Sequence, residues 1–369
     1  MKEKPVPRVA LVISHDGPGG VPLIFEQLST GLEERGFVVD RIALQQQQTT
    51  PRAGWMSIFP RQIRAWEIPE AVRQLAQTFK RHGPYDALIT SMPLANSVAP
   101  VAGRLAGVRK RIVTHQSPTD TYERPQRLLD LMVGTSPAVD HIICASDAVR
   151  QSVSAYPSGY RRKTVVVLNA LTEEVATFID TLVLPKREDV VGRPVRLVSV
   201  GRLAEQKNFS VLFPALAQLP EARLQLVGDG PLSDQLRGEA ASHGVADRVE
   251  FLGHLPHLEG LRIAAKADIF VQPSLFEGRS IALLEAAALG LPLLVSDVPS
   301  QIEAVTRDDG QVCAEVARLH DPASYADSIR RTIGTAGHLD QLSRLSRSLA
   351  AEASLGSIAE EYVRLIATP

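Results

Sequence analysis

Short apolar runs alternate with longer amphipathic stretches along this chain, and the whole alternation occurs twice. Val9–Ile13, Phe37–Ile42, Tyr85–Ile89, Lys110–Thr114, His141–Cys144 and Thr164–Leu168 are short, β-rich runs. They read as strands buried on both faces. Helical patterns lie between them, as in Val21–Arg35, which Gly36 closes. Strands alternating with helices specify a parallel sheet covered on both sides. The pattern restarts with Val195–Val200, Leu224–Val227, Arg248–Phe251, Ile269–Val271 and Leu293–Val295. Residues 171–194 lack clean periodicity, contain Pro185, Gly192 and Pro194, and read as a linker.

Two α/β units in tandem are therefore expected, and 369 residues suffice for two domains of usual size. The first is expected over 1–184, with a C-terminal helix of 352–369 packing back on it, and the second over 185–351. Lys plus Arg number 40 and Asp plus Glu 41, a net charge of -1 that argues against a general nucleic-acid binder. Cys144 and Cys313 make neither a disulfide framework nor a four-ligand zinc site, which points to the cytoplasm. The apolar run Val9–Ile13 is too short for a signal-peptide core. The richest apolar stretch, 281–295, is broken by Glu285 and Pro292, short of the roughly 18 residues a spanning helix needs.

Ligands of open parallel sheets bind beyond the carboxyl ends of the strands, so motifs just after strands carry the functional information. The richest is QPSLFEGRSIALLEAAALGLPLLVSD at 272–297. A helix is expected from Ser280, and its free N–H groups at Ser280, Ile281 and Ala282 make an anion site. Glu277 precedes that start and Glu285 lies in the second turn. Carboxylates beside an anion site suit the hydroxyls of a phosphorylated sugar compound; taken alone, the two acids fit a loop acid and a solvated helix acid better. In VSVGRLAEQKN, Arg202 and Lys207 flank a turn after a strand, where two cations suit a diphosphate or simply face solvent. Gly19 and Gly20 follow the first strand and allow close backbone approach to a phosphate, or form a tight turn. His115 also follows a strand, either as a donor or proton carrier or as a structural histidine.

Together these segments resemble the group 1, glycogen-synthase-like glycosyltransferases of the GT-B architecture. VGRLAEQKN, LVGDGP, DRVEFLGHLP, ADIFVQPSLFEG and EAAALGLPLLVSD carry the likeness through the second half. Glu277-x7-Glu285 is its hallmark, joined by Arg202-x4-Lys207; the first half matches more loosely, through the Gly-rich loop, His115, CASDAVR and VVVLNA. The resemblance implies two Rossmann-like domains facing a cleft, and retaining transfer of a sugar from a nucleotide diphosphate sugar, UDP before GDP. It implies that Arg202 and Lys207 hold the diphosphate, helped by Ser280, Ile281 and Ala282. Glu277, Gly278 and Arg279 would meet the sugar, Glu285 the ribose, and the backbone of Gly253, His254 and Leu255 the base. Gly19 and Gly20 would close on the phosphates, and His115 would lie by sugar and acceptor. No metal or other cofactor is expected, and the implied acceptor is a glycan, lipid-linked compound or natural product in cell-surface polysaccharide assembly.

The chain departs from the pattern at Arg279, where an aromatic residue is common; Arg279 either reads an acidic or amino sugar or salt-bridges a neighbour. Gln116 stands where an acid is common and weakens a proton relay through His115. Residues 51–66, PRAGWMSIFPRQIRAW, hold both tryptophans and Arg52, Arg61 and Arg64 without an acid. That mixture suits an interfacial element docking on anionic membrane or a hydrophobic acceptor, or a flap packed on its own domain. An epimerase or hydrolase on the same scaffold and a non-catalytic nucleotide-sugar-binding subunit are the alternatives. A dinucleotide dehydrogenase is disfavoured, because neither half has G-x-G-x-x-G.

Overall fold

The computed structural model describes residues 6–17, 19–47, 52–184, 190, 193–353 and 358–368. The chain divides into two units, Met1–Asn169 with Ser357–Pro369, and Ala170–Gly356.

The first unit carries seven strands: β1 (Arg8–His15), β2 (Val38–Gln45), β3 (Trp55–Phe59), β4 (Ala87–Ser91), β5 (Lys110–His115), β6 (His141–Cys144) and β7 (Thr164–Val166). Their order is β3-β2-β1-β4-β5-β6-β7, and every pairing is parallel. Val9–Ile13 of β1 are fully buried, as a strand covered on both faces requires. The helices Ile68–His82 and Pro93–Ala106 pack over one face through Leu75, Phe79, Val98 and Ala102. The helix Ile358–Ala367 rests on the helix Gly20–Glu33, buries Ala359, Tyr362 and Ile366, and ties Glu360 to Arg35 at 3.2 Å.

The second unit carries β8 (Val195–Val200), β9 (Ala222–Val227), β10 (Val249–Gly253), β11 (Ile269–Gln272), β12 (Leu293–Ser296) and β13 (Glu315–Ala317). Their order is β10-β9-β8-β11-β12-β13, again all parallel. Successive residues feed opposite cores, as a period of two dictates. Leu197, Val271 and Leu294 enter one, and Val198, Phe270 and Val295 enter the other.

The linker expectation needs correction. Residues Glu173–Asp180 form a helix, capped by Thr172 Oγ1 accepting from the Val175 N–H. It packs Val175 and Ile179 into the second core, so the structural division falls at Asn169–Ala170 rather than at 184–185. Residues 185–189 and 191–192 lie outside the described residues. Strands β3 and β13 are additions to the expected set. Among the described residues no helix is long and apolar enough to cross a membrane.

Candidate active site

In the second unit the chain runs β8, β9, β10 to one side, then returns to the other side of β8 for β11 and β12. The order reverses between β8 and β11, and such a switch point is where open α/β sheets leave a crevice at the strands' carboxyl ends. The two motif loops meet there. Gly201 turns the chain after β8, and a 3-10 turn, Glu205–Lys207, is closed by Asn208 in the left-handed conformation, φ 51°. The loop after β11 is stitched to it: the Leu275 N–H donates to Gln206 O at 2.8 Å and Asn208 Nδ2 to Pro273 O at 3.1 Å.

That stitching brings Lys207 and Glu277 together. Lys207 Nζ donates to Glu277 Oε1 at 2.7 Å, both side chains largely buried. Ser274 Oγ donates to the same oxygen at 2.7 Å, and the Glu277 N–H is held by Ser300 Oγ at 3.1 Å. Among the described residues, Oε2 receives only a long 3.4 Å contact from Gln206 Nε2. Glu277 is thus rigidly placed with one oxygen saturated and the other largely unspent. Arg202 sits on the same loop, exposed, with no ion pair among the described residues.

Ser280 caps the helix Ile281–Ala288, its Oγ accepting from the Leu283 N–H at 3.3 Å. The N–H groups of Ile281 and Ala282 precede any intrahelical partner and stay at the helix tip. A buried chain of polar side chains fixes the cap: Ser280 Oγ donates to Gln272 Oε1, Gln272 Nε2 to Gln301 Oε1, and Gln301 Nε2 to Ser296 Oγ. Glu285 is buried on this helix, and His257 Nε2 lies 2.6 Å from its Oε1. Gly278 is buried between Glu277 and Arg279. Burial pushes the Arg279 guanidinium below its ordinary value, opposed by the charges of Glu303 and Asp308.

At the sheet edge, Gly253 ends β10 with φ 69°, and its carbonyl accepts from the Gly228 N–H at 2.8 Å. A Cβ on Gly228 would lie 2.0 Å from the Gly201 carbonyl, so only glycine lets the loops after β8 and β9 touch. His254 is exposed and Leu255 half-buried beside them.

In the first unit, Gly19 and Gly20 are exposed at the start of the helix Gly20–Glu33, which has no capping side chain. The expectation for His115 is corrected. The ring is fully buried, with Nδ1 3.1 Å from the Tyr122 hydroxyl and Nε2 2.8 Å from that of Tyr160. The Tyr160 hydroxyl donates to Asp130 Oδ2 at 2.8 Å, so it accepts from Nε2–H, and Nδ1 accepts from Tyr122. Burial pushes the imidazole below its ordinary value, against the pull of Asp130. Both ring nitrogens are spent inside the protein, leaving none for a sugar or a proton relay.

Residues 52–66 divide between the two readings. Trp55 is buried in β3, its Nε1 donating to Glu26, which also holds Arg52 through two hydrogen bonds. The end of the segment faces out: Trp66 is 72% exposed with the Arg64 guanidinium over its ring, and Arg61 pairs with Glu67. Pro51 lies outside the described residues.

Sequence reasoning missed Gln206, Asn208, His257, Gln272, Ser274, Ser300 and Gln301. Gln272, Ser274 and Asn208 carried a usable signal, being polar residues directly at strand and turn ends. Gln206 and His257 lie within or just beyond the quoted motifs, and only Ser300 and Gln301 reach the site from another segment. Among the described residues, no three His, Cys, Asp or Glu side chains group as metal ligands.

Residues 183–347 match the sequence model of glycosyl transferases group 1, and residues 18–174 that of glycosyltransferase family 4. The chain is 31% identical over 281 residues to EpsF of Bacillus subtilis, described as a glycosyltransferase, covering 70% of this chain and 69% of EpsF. It is 33% identical over 159 residues to glycogen synthase of Mycobacterium tuberculosis, 42% of this chain but only 37% of that protein's length. It is 27% identical to the lipopolysaccharide core biosynthesis glycosyltransferase LpsE of Rhizobium meliloti, over 62% of this chain and 64% of LpsE. The crystal structure of Anabaena HepE in complex with UDP and glucose superposes with a TM-score of 0.76 at 16% identity, covering 98% of this chain and 99% of that one. That likeness shows the GT-B fold.

Proposed function

The chain belongs to the group 1 glycosyltransferases, and from that premise we propose that it transfers a hexose or related sugar from a nucleotide diphosphate sugar to a glycan, glycolipid or natural-product acceptor. The proposed setting is cell-surface polysaccharide or lipopolysaccharide assembly, as the name of LpsE suggests for that relative. The proposed donor nucleotide is UDP, with GDP second; HepE was crystallised with UDP and glucose. Retention of anomeric configuration follows the family's motif.

One observation carries the reading: Lys207 and Glu277, from different loops, meet at the switch point of the second sheet. A lysine ammonium has three N–H donors, and one is spent on Glu277. The others, with the Arg202 fork and the N–H groups of Ile281 and Ala282, suit diphosphate oxygens. As the sugar leaves, negative charge grows on the nucleoside diphosphate, and these fixed donors stabilise it without rearranging. Glu277 Oε2 is the acceptor for sugar hydroxyls, Glu285 for ribose hydroxyls, and the backbone of Gly253–Leu255 for the base. His115 positions its neighbours and touches no substrate. The two cations meet the leaving group's charge in place of a metal ion. The proposed location is the cytoplasmic face of a membrane, contacted through Trp66 and Arg64.

A thermal-shift screen of nucleoside diphosphates and their sugars tests the donor, since a ligand of the folded state raises stability by mass action. Lys207→Gln and Glu277→Gln keep a hydrogen-bonding side chain at each position, and the double variant controls for the partner charge that each single change leaves unpaired. Each is expected to cut turnover by about 100-fold or more with the circular dichroism unchanged, and EDTA is expected to leave transfer intact. Undiminished turnover in both variants would refute the site assignment.

A further inference from the structure

Glu285 is not a free carboxylate waiting for a ligand. It stands in the second turn of the helix Ile281–Ala288, 5% exposed. His257, the first residue of the helix His257–Ala265, brings Nε2 to 2.6 Å from Glu285 Oε1. The imidazole keeps 30% of its side-chain surface in solvent, so it is not sealed in the core. It also follows directly on the loop Gly253–Leu255 assigned to the base.

We propose that His257 is a positioning residue for the donor: it fixes the Glu285 carboxylate and sets the net charge that a nucleoside diphosphate meets there. The proposal rests on the reading of Glu285 as the ribose acceptor. Two ribose hydroxyls need one lone pair from each carboxylate oxygen. An N–H held on Oε1 takes one of its two lone pairs and locks the carboxylate plane, leaving the other and both on Oε2. Nε2–H donates in either charge state, so positioning persists across pH and only the charge changes. With the imidazolium present the pair is neutral; without it the pair carries -1 beside an anionic ligand.

The helix His257–Ala265 packs against Glu173–Asp180, Ile281–Ala288 and β8. Glu285 and Glu174 act on the imidazole from those elements. Glu173 and Asp180 are exposed, Arg196 of β8 is committed to Asp268, and Arg262 of the same helix lies over the Phe178 ring. Glu259 and Lys266 are exposed on or just after its own helix. The hydrogen bond to Glu285 raises the imidazole above its ordinary 6.5, against burial, with both acids adding. The protonated, neutral-pair state therefore holds below the ordinary value and is lost as pH rises through the raised one. Affinity for the diphosphate falls in that window, and a bound diphosphate raises the imidazole further, because the coupling is reciprocal.

Titration calorimetry with UDP, and in parallel GDP, ADP and CDP, from about pH 6 to about pH 9, tests this on the wild type, His257→Gln, His257→Ala and Glu285→Gln. Glutamine keeps an N–H for Oε1 but does not titrate. The wild-type Kd is expected to rise about threefold to tenfold relative to that of His257→Gln across the window, and His257→Ala to bind about tenfold more weakly than His257→Gln throughout. The diphosphate's own last ionisation, about pH 6, is common to both proteins and cancels in the ratio. A flat ratio overturns the charge role, and alanine binding as well as glutamine overturns the positioning. If no nucleoside diphosphate binds, or Glu285→Gln binds like the wild type, the ribose reading fails and takes this inference with it. Weakened Glu285→Gln with a flat ratio and strong alanine binding rejects this inference alone.

Discussion

Tyr160 is the residue on which the first unit's buried polar cluster turns. Its hydroxyl accepts from His115 and donates to Asp130, and its ring passes over Gly134 with no room to spare. A Cβ at position 134 would lie 2.2 Å from a Tyr160 ring carbon. Gly134→Ala is therefore expected to cost about 2–3 kcal/mol, as overpacking does, through loss of the Tyr160 contacts. Gly159→Ala is the control, since its Cβ would meet nothing closer than the Thr135 methyl at 3.5 Å. Urea unfolding of both variants checks this; equal midpoints would show that the ring relaxes freely. The same cluster marks the limit of what single residues disclose. Arg202, Lys207, Glu277, Ser280 and Glu285 stood out because each lies within a few residues of a strand end or helix start, and the structure brings two of them, Lys207 and Glu277, into contact. His115 has the same local address. Its burial is decided by Tyr122, Asp130 and Tyr160, and the spacing of those residues from His115 encodes no direction.

Among the elements, the segment after β2 departs most from what its composition suggests. Tryptophan, methionine and phenylalanine among arginines read as a surface-seeking stripe, yet β3 spends Trp55 and Phe59 on the edge of the sheet. Glu26, on the helix Gly20–Glu33, draws Trp55 and Arg52 inward, and no pattern within residues 51–66 could announce it. What remains outward is Trp66 under the Arg64 guanidinium. Trp66→Ala and Arg64→Ala are each expected to reduce co-sedimentation with vesicles of phosphatidylcholine and phosphatidylglycerol several-fold, whereas Trp55→Phe leaves it unchanged. Wild-type protein that stays in the supernatant would remove the membrane contact. The helix Glu173–Asp180 was hidden for a different reason. It buries only Val175 and Ile179, a single helical repeat, too little to rise above the prolines and glycines that follow it.

At the scale of the whole molecule, two sheets of one design are written one after the other, and that much was legible because both are buried parallel sheets with continuous apolar strands. The exact division was not, since a boundary is the place where periodicity is weakest. The last helix makes the first unit discontinuous in sequence. Tyr362 is 3% exposed against that unit. Tyr362→Ala is expected to cost the first unit about 3–5 kcal/mol. Hydrogen exchange should quicken across Gly20–Glu33 and stay unchanged in β8–β12; uniform quickening in both units would contradict this assignment of the tail. A ribosome delivers such a chain in an awkward order. The first sheet emerges early but lacks its closing helix until residues 358–367 appear, and at roughly 5–20 residues per second the second unit alone occupies about 10–40 s. For that interval the groove meant for Ala359, Tyr362 and Ile366 is open, so nascent chains of this protein need shelter from one another until that helix has emerged.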